Sequence, residues 1–219
     1  MSQMSRVWPQ IVPLGDSSLL VRFGASLEDE ANKAALALAA RLKRDPVEGV
    51  VEVVPSLVSV LVRYDAFRAE PFRIAGEIGL RLGSSEVDSV REHFVPVRFG
   101  GAEGPDLEDV ADSLNLTIDG FIERLCVRPL RVLATGFAPG FVYAGFHPES
   151  LNVPRRQQVR PLVPVGSVLF AARQTAIAAT DIPTGWHVIG RTEFRNFDPL
   201  RDPPTTIAAG DLIRLGAVL

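Results

Sequence analysis

The chain has 219 residues, 47% hydrophobic and 22% charged, and its 23 basic and 26 acidic side chains give a net charge of −3. That composition excludes fibrous and largely disordered classes, and the acidic balance argues against a dedicated nucleic-acid binder. The single cysteine, Cys126, forbids an internal disulfide, while the longest apolar run, residues 34–40, is far too short for a membrane span, and residues 1–10 lack the apolar stretch of a signal peptide. A cytoplasmic protein is the expectation.

The first strand is expected over Ser18–Phe23, between Gly15-Asp16 and Gly24. Ser26 then has the look of an N-cap, with Asp29 three residues on. Leu27, Ala31, Ala34, Ala35, Leu38 and Leu42 recur at helical spacing, so a helix is expected over 27–43, ended by Asp45-Pro46. Two β-branched runs, 50–54 and 57–62, flank Pro55-Ser56 and read as antiparallel strands. A second helix is expected over 67–82, with Phe72, Ala75, Ile78 and Gly79 on one face, and a further strand over 93–99. The order β-α-β-β-α-β is that of a ferredoxin-like two-layer domain, an α+β arrangement, covering residues 1–99.

Gly100-Gly101-Ala102-Glu103-Gly104 breaks the pattern. A short helix follows over about 106–113, its acidic first turn complementing the helix dipole, and Thr117 caps another over 118–125. Beyond Leu130, short apolar runs at 130–134, 162–171, 186–190 and 205–215 are separated by Gly, Pro and Asn clusters. Residues 100–219 therefore read as a β-barrel or sandwich with long loops.

Several chemistries are absent. There is no P-loop, no dinucleotide-binding glycine fingerprint and no nucleophile elbow. His93, His147 and His187 are far apart and form no metal motif, so no metal is expected; Cys126 reads as a small packing residue. No catalytic residue is identified.

Three segments carry candidate chemistry. Gly136-Phe137-Ala138-Pro139-Gly140-Phe141-Val142-Tyr143 interleaves aromatics with glycines, which suits either a pocket for a small planar ligand or a packed structural loop. Between Glu149 and Asp181 lie four arginines, at 155, 156, 160 and 173, and no acid. Their planar forks suit a carboxylate or phosphate, although on residue types alone a solvated loop paired with acids elsewhere is slightly the better account. Third, Gln174-Thr175 and Gly185-Trp186 precede Arg191 at a strand end, where Asp198 is the natural acid to hold an arginine or else only starts a turn.

These segments, in this order, resemble the family of allophanate hydrolase subunit 1, also called the Kip inhibitor family and the 5-oxoprolinase B subunits. The resemblance rests on residues 14–21, Val95-Pro96-Val97, Gly100-Gly101 with Gly104-Pro105-Asp106-Leu107, Gly136–Phe141 with Tyr143, and Pro154-Arg155-Arg156. It continues through Val163-Pro164, Gly166-Ser167-Val168, Gln174-Thr175, Gly185-Trp186, Ile189-Gly190-Arg191-Thr192, Phe197-Asp198-Pro199 and Gly210-Asp211. It implies an N-terminal ferredoxin-like domain and a C-terminal cyclophilin-like β-barrel. It also implies a larger subunit-2-type partner and ATP-dependent opening of a small amide such as 5-oxoproline, with ATP used together with the partner and no cofactor intrinsic to this chain.

Alternatives within the family are the carboxyltransferase part of a biotin-dependent urea carboxylase, and a regulator that inhibits a sensor histidine kinase. Carried onto this sequence, the substrate site comprises Phe137, Pro139, Phe141, Tyr143, Arg155, Arg156, Gln174, Thr175, Trp186 and Arg191, with the arginines holding an anion and Gln174 with Thr175 bonding an amide. The partners are thus a larger protein chain and a small amide or carboxylate, with neither nucleic acid nor membrane. The chain departs from the family where it reads Ala172-Arg173-Gln174-Thr175-Ala176-Ile177-Ala178 in place of Gly-Gly-Gln-Thr-Gly-Ile-Tyr, Thr184 in place of Gly, Ala144 in place of Leu, and Cys126 in place of a frequent His.

Overall fold

The computed structural model describes residues 8–83 and 90–218. The chain divides into two compact units, residues 1–89 and 90–219.

The first unit contains β1 (Gln10–Pro13), β2 (Ser18–Arg22), α1 (Asp29–Arg44), β3 (Val50–Pro55), β4 (Ser59–Tyr64) and α2 (Pro71–Leu80). Its antiparallel sheet has the order β1-β2-β4-β3. Alternate residues of β2 and β4, Leu19, Val21, Val60, Val62 and Tyr64, turn to one face and pack with Ala35, Leu38 and Leu42 of α1 and Ile74 and Ile78 of α2.

Three expectations need correction. Ser26 does not cap α1: the N-cap is Glu28, and the Ser26 hydroxyl donates to its carboxylate at 2.7 Å. The second helix starts at Pro71, not residue 67, because Asp65 Oδ1 accepts the Phe67 N–H at 3.0 Å and sets a turn first. Its buried face is Ile74 and Ile78, while Phe72 is 90% exposed. Third, the strand expected at 93–99 does not complete this sheet. It joins the second unit, and β1, for which the sequence pattern offers no signal, takes the edge beside β2. The break between the units accordingly precedes this strand instead of following it.

The second unit begins with that strand, β5 (Glu92–Phe99), then α3 (Leu107–Ser113), α4 (Ile118–Cys126), β6 (Leu130–Thr135), β7 (Val142–Gly145) and a 3-10 turn at Glu149–Leu151. It continues through β8 (Arg160–Val163), β9 (Ser167–Ala171), β10 (Gln174–Ile177), β11 (Ile182–Thr184), β12 (His187–Arg191) and β13 (Leu212–Ala217). Thr117 caps α4 as expected, accepting the Gly120 N–H at 3.1 Å. Seven strands close a barrel in the order β10-β7-β6-β13-β5-β12-β9. The β13–β5 pair is parallel, and the other pairs in the barrel are antiparallel.

Val168, Phe170 and Ile177 turn inward with Val95, Val97, Val132 and Ile189, and Phe121 of α4 meets Phe170 edge-on at 5.2 Å. Leu169, Ala171 and Ala176 turn outward and are covered by Phe141, Val163, Ile182 and Trp186. The β8–β11 pair is a small separate sheet. With both faces covered, β9 reads as an unbroken apolar run, because no face of it needs polar residues.

The β9–β10 hairpin turns through Ala172 (φ +49°) and Arg173 (φ +63°), both in the left-handed region. These are the positions where the family that the sequence resembles carries glycines, and a two-residue hairpin of this kind prefers them. Ala172→Gly is expected to stabilise the protein by about 0.5–1 kcal/mol, the relief of left-handed strain less the entropy of glycine. Urea unfolding should show a higher midpoint, and a lower one would contradict the strain argument.

Candidate functional site

The loop 136–141 is closed on itself by the Gly136 N–H to the Phe141 carbonyl and the Phe141 N–H to the Ala138 carbonyl, both 3.0 Å. Buried Asn196 braces it from behind, donating to the Gly140 carbonyl at 2.9 Å. A second strut is the 154–160 loop, where the Arg156 N–H donates to the Gly185 carbonyl at 2.7 Å and His187 Nε2 lies 3.0 Å from the Pro154 carbonyl.

Between these loops and the outer face of the barrel lies a cavity of about 310 Å³, lined by Phe137, Phe141, Tyr143, Arg155, Arg156 and Trp186 of the expected residues, together with Val159 and residues 182–185. The rings form a continuous wall, Phe137 to Phe141 at 5.7 Å, Phe141 to Tyr143 at 4.7 Å and Tyr143 to Trp186 at 6.0 Å. Phe137 is 73% exposed at the rim and has a positive φ, +79°. Burial pushes the Tyr143 phenol up, with Arg155 pulling against it.

The guanidinium of Arg155 lies 5.5 Å over the Trp186 ring. It has no ion-pair partner among the described residues. The other three arginines of the basic stretch are spent. Arg173 pairs with Glu149 at 2.6 Å, and Arg156 and Arg160 both donate to Asp106 Oδ1. The acid expected to hold an arginine, Asp198, instead accepts the Leu200 N–H at 3.0 Å and starts a turn.

Asp106 is the residue that sequence reasoning misses. In the sequence it reads as part of a helix's acidic first turn, yet its side chain makes no cap bond; Oδ2 accepts the Val188 N–H at 2.8 Å. Gly104 permits this, because a side chain there would collide with the Ile189 carbonyl as the segment passes β12. Burial alone would raise the Asp106 carboxyl, but the Val188 N–H and the two guanidiniums outweigh it and hold the group below its usual range.

The remaining expected residues do not converge on the cavity. Adjacent strand residues face opposite ways. Thr175 therefore points into the barrel, where its hydroxyl lies 2.8 Å from Nε2 of buried His147, and Gln174 faces outward with Ala176. Gln174 is 6% exposed, and its Oε1 is buried without a hydrogen-bond partner among the described residues. Gln174 is not among the cavity-lining residues. Arg191 ends β12 beside β5, where it helps Arg98 lower the Glu103 carboxyl, and Pro139 is exposed on the loop.

Cys126 is half-buried, and burial pushes its thiol up, as suits a packing residue. His93 lies 2.9 Å from Asp211, remote in the sequence from the other two histidines. Among the described residues, no group of three or more His, Cys, Asp or Glu side chains could hold a metal, and no helix is long and apolar enough to cross a membrane.

Comparison with known proteins gives the family. Residues 9–207 match the profile described as carboxyltransferase domain, subdomain C and D. The chain is 34% identical over 218 residues to the 5-oxoprolinase B subunit of Bacillus subtilis (strain 168), an alignment covering 94% of this chain and 91% of that one. The crystal structure of TTHA0988 superposes with a TM-score of 0.82 at 32% identity, over 92% of this chain; the chain spans 40% of the length of that protein. The urea carboxylase of Kluyveromyces lactis superposes with a TM-score of 0.75 over the whole of this chain and 23% of that one, but at 16% identity that likeness shows the fold alone. On the profile match and the identity to the Bacillus subtilis protein together, this chain belongs to the carboxyltransferase-domain family that includes the 5-oxoprolinase B subunits.

Proposed function

We propose that this chain is one subunit of an ATP-dependent amide-hydrolysing complex that acts with a larger, subunit-2-type partner on a small amide carboxylate such as 5-oxoproline. The observation that carries the reading is the aromatic cavity with the unpaired Arg155 over Trp186. A volume near 310 Å³ is at the small end for ligand sites, which suits a compact ring with one carboxylate. The cavity lining holds no carboxylate, imidazole or thiol, so in this reading the partner supplies the proton-transfer groups.

ATP is assigned to the complex as a whole. The lining residues here do not fit a triphosphate, having one unpaired cation and no glycine-rich phosphate loop. In the same reading, the four-stranded unit is a ferredoxin-like domain whose edge is completed by β1, the barrel is cyclophilin-like, and the complex is cytoplasmic.

The test is reconstitution with the partner. ATP turnover should depend on 5-oxoproline, and Arg155→Ala should raise its KM roughly 10–100-fold, the worth of one hydrogen-bonded charge. Turnover indifferent to 5-oxoproline and related amides would sink the proposal.

A second reading, a regulator that docks on a sensor histidine kinase, draws on the exposed apolar side chains Phe137 and Val159 at the cavity and Leu162 on β8. Stoichiometric inhibition of autophosphorylation without turnover would favour it. The carboxyltransferase part of a urea carboxylase is the third, and urea-dependent carboxyl transfer by the complex would decide for it.

A further inference from the structure

We propose that Asp106 is the positioning residue of the cavity: from the interior of the barrel unit it fixes the loop that holds Arg155 over Trp186. The inference rests on the reading of that cavity as the ligand site. Asp106 is 2% exposed and is not among the residues that line the cavity, so it does not meet a ligand itself. It acts through two neighbours of Arg155. Arg156 is adjacent to Arg155 and Arg160 closes the same loop, and both guanidiniums converge on one carboxylate oxygen. The other oxygen is tied to the Val188 N–H of β12, two residues from Trp186. One buried carboxylate thus joins the strand that follows the indole to the loop that carries the cation.

The arrangement is costly if stability alone is its purpose. Burying a carboxylate with two guanidiniums incurs desolvation that a well-packed apolar cluster would avoid. What the charged cluster adds is direction, because forked donors on a fixed acceptor hold long side chains in one geometry. Asp106 leads into α3 but does not cap it, so helix capping does not explain the residue. The unbonded Nε atoms of Arg156 and Arg160 are buried, which means both side chains are held by their tips, at Asp106, and not along their length.

The test uses the full chain and no substrate, so its failure is separable from failure of the ligand-site reading, which the reconstituted assay decides. In a Trp8→Phe background, Trp186 is the sole indole. Trp186 is 7% exposed, so iodide, an anion that Arg155 attracts, and neutral acrylamide reach it from the cavity side and quench its fluorescence. Arg155→Ala should at least halve the ratio of iodide to acrylamide quenching constants. Asp106→Asn frees Arg156, a lining cation that itself attracts iodide, so the readout is the effect of Arg155→Ala within that background. There the same change should leave the ratio nearly unmoved, because Arg155 no longer stands over the indole. Loss of a merely structural group would expose Trp186 and raise the ratio, yet leave the Arg155→Ala effect intact.

Should Asp106→Asn not fold, Arg160→Met removes one tether from a side chain that is one-third exposed, and should shrink the Arg155→Ala effect part of the way. An Arg155→Ala effect undiminished in the Asp106→Asn background, or in Arg160→Met where that variant stands in, would overturn the proposal. So would a ratio insensitive to Arg155→Ala with Asp106 intact, since Arg155 would then not stand over the indole.

Discussion

Replacing Phe170 with alanine is expected to destabilise the barrel unit by about 3–5 kcal/mol, the cost of losing a large buried ring and leaving its cavity. The ring is fully buried and enclosed on several sides. Phe121 of α4 meets it edge-on at 5.2 Å, His147 lies 5.4 Å away, and its strand pairs on both sides, with Thr175 opposite on β10 and His187 opposite on β12. Collapse around the gap is hindered because α4 is tied to the barrel through Phe121 and Leu125 in the same cluster. Phe170→Leu should recover much of the loss. Guanidinium unfolding, followed by a probe in the barrel unit because two units need not unfold together, measures it. A loss below about 1 kcal/mol would mean that the interior is not packed as described.

The second large effect is a dependence on pH. Burial pushes His147 down to about 4, with Arg128 and Arg173 adding repulsion. In the unfolded chain the imidazole takes a proton near pH 6.5. Between these values the unfolded state binds a proton that the folded state refuses. Stability is therefore complete above about 6.5 and declines as the pH falls toward 4, by roughly 3 kcal/mol in all.

Asp106 and Asp211 are both held below the usual carboxylate range, Asp211 by the Ala208 N–H, His93 and Arg91 against the opposing effect of burial. Their contributions are present above the ordinary carboxylate pKa and are lost only as the pH falls through the lower folded values, so they lie beneath the His147 window. Chemical unfolding at pH 7.5, 5.5 and 4.5 should show the decline, and His147→Gln should flatten it. An equally steep decline in that variant would assign the dependence elsewhere.

Much of the fold is legible because local patterns decide it. The runs at 50–54 and 57–62, the helix after Thr117 and the short apolar runs beyond Leu130 each follow from periodicity and turn residues that need no distant partner. The strand at 92–99 shows the limit. Its alternation of buried and open positions satisfies any sheet with one covered face, and only the pairing with β13, some 120 residues later, decides which sheet receives it.

The site divides in the same way. Aromatics and glycines close in sequence do mark a cavity wall. The basic stretch looks like a cluster of free cations because its counter-ion, Asp106, lies 50 residues upstream of Arg156, where it passes as an ordinary first-turn acid. Gln174 and Thr175 look like a pair because they adjoin, whereas the pleat of β10 separates them. Ala172 and Arg173 stand where the family has glycines, and the left-handed backbone angles there tie that departure to the hairpin turn.

The parallel pair of β13 and β5 has a consequence for how the molecule is made. β13 is inserted between β5 and β6, so the strands that begin the barrel have no shared neighbour until the chain through residue 217 has left the ribosome. Until then β5 and β6 each present an open edge, and about 120 residues of nascent chain must wait before the ring is sealed. A contact of such long sequence separation carries a large loop-closure cost and makes sealing a slow, late event. The half-made barrel is thus the species a chaperone would meet, and its exposed edges are where premature association with another chain would begin.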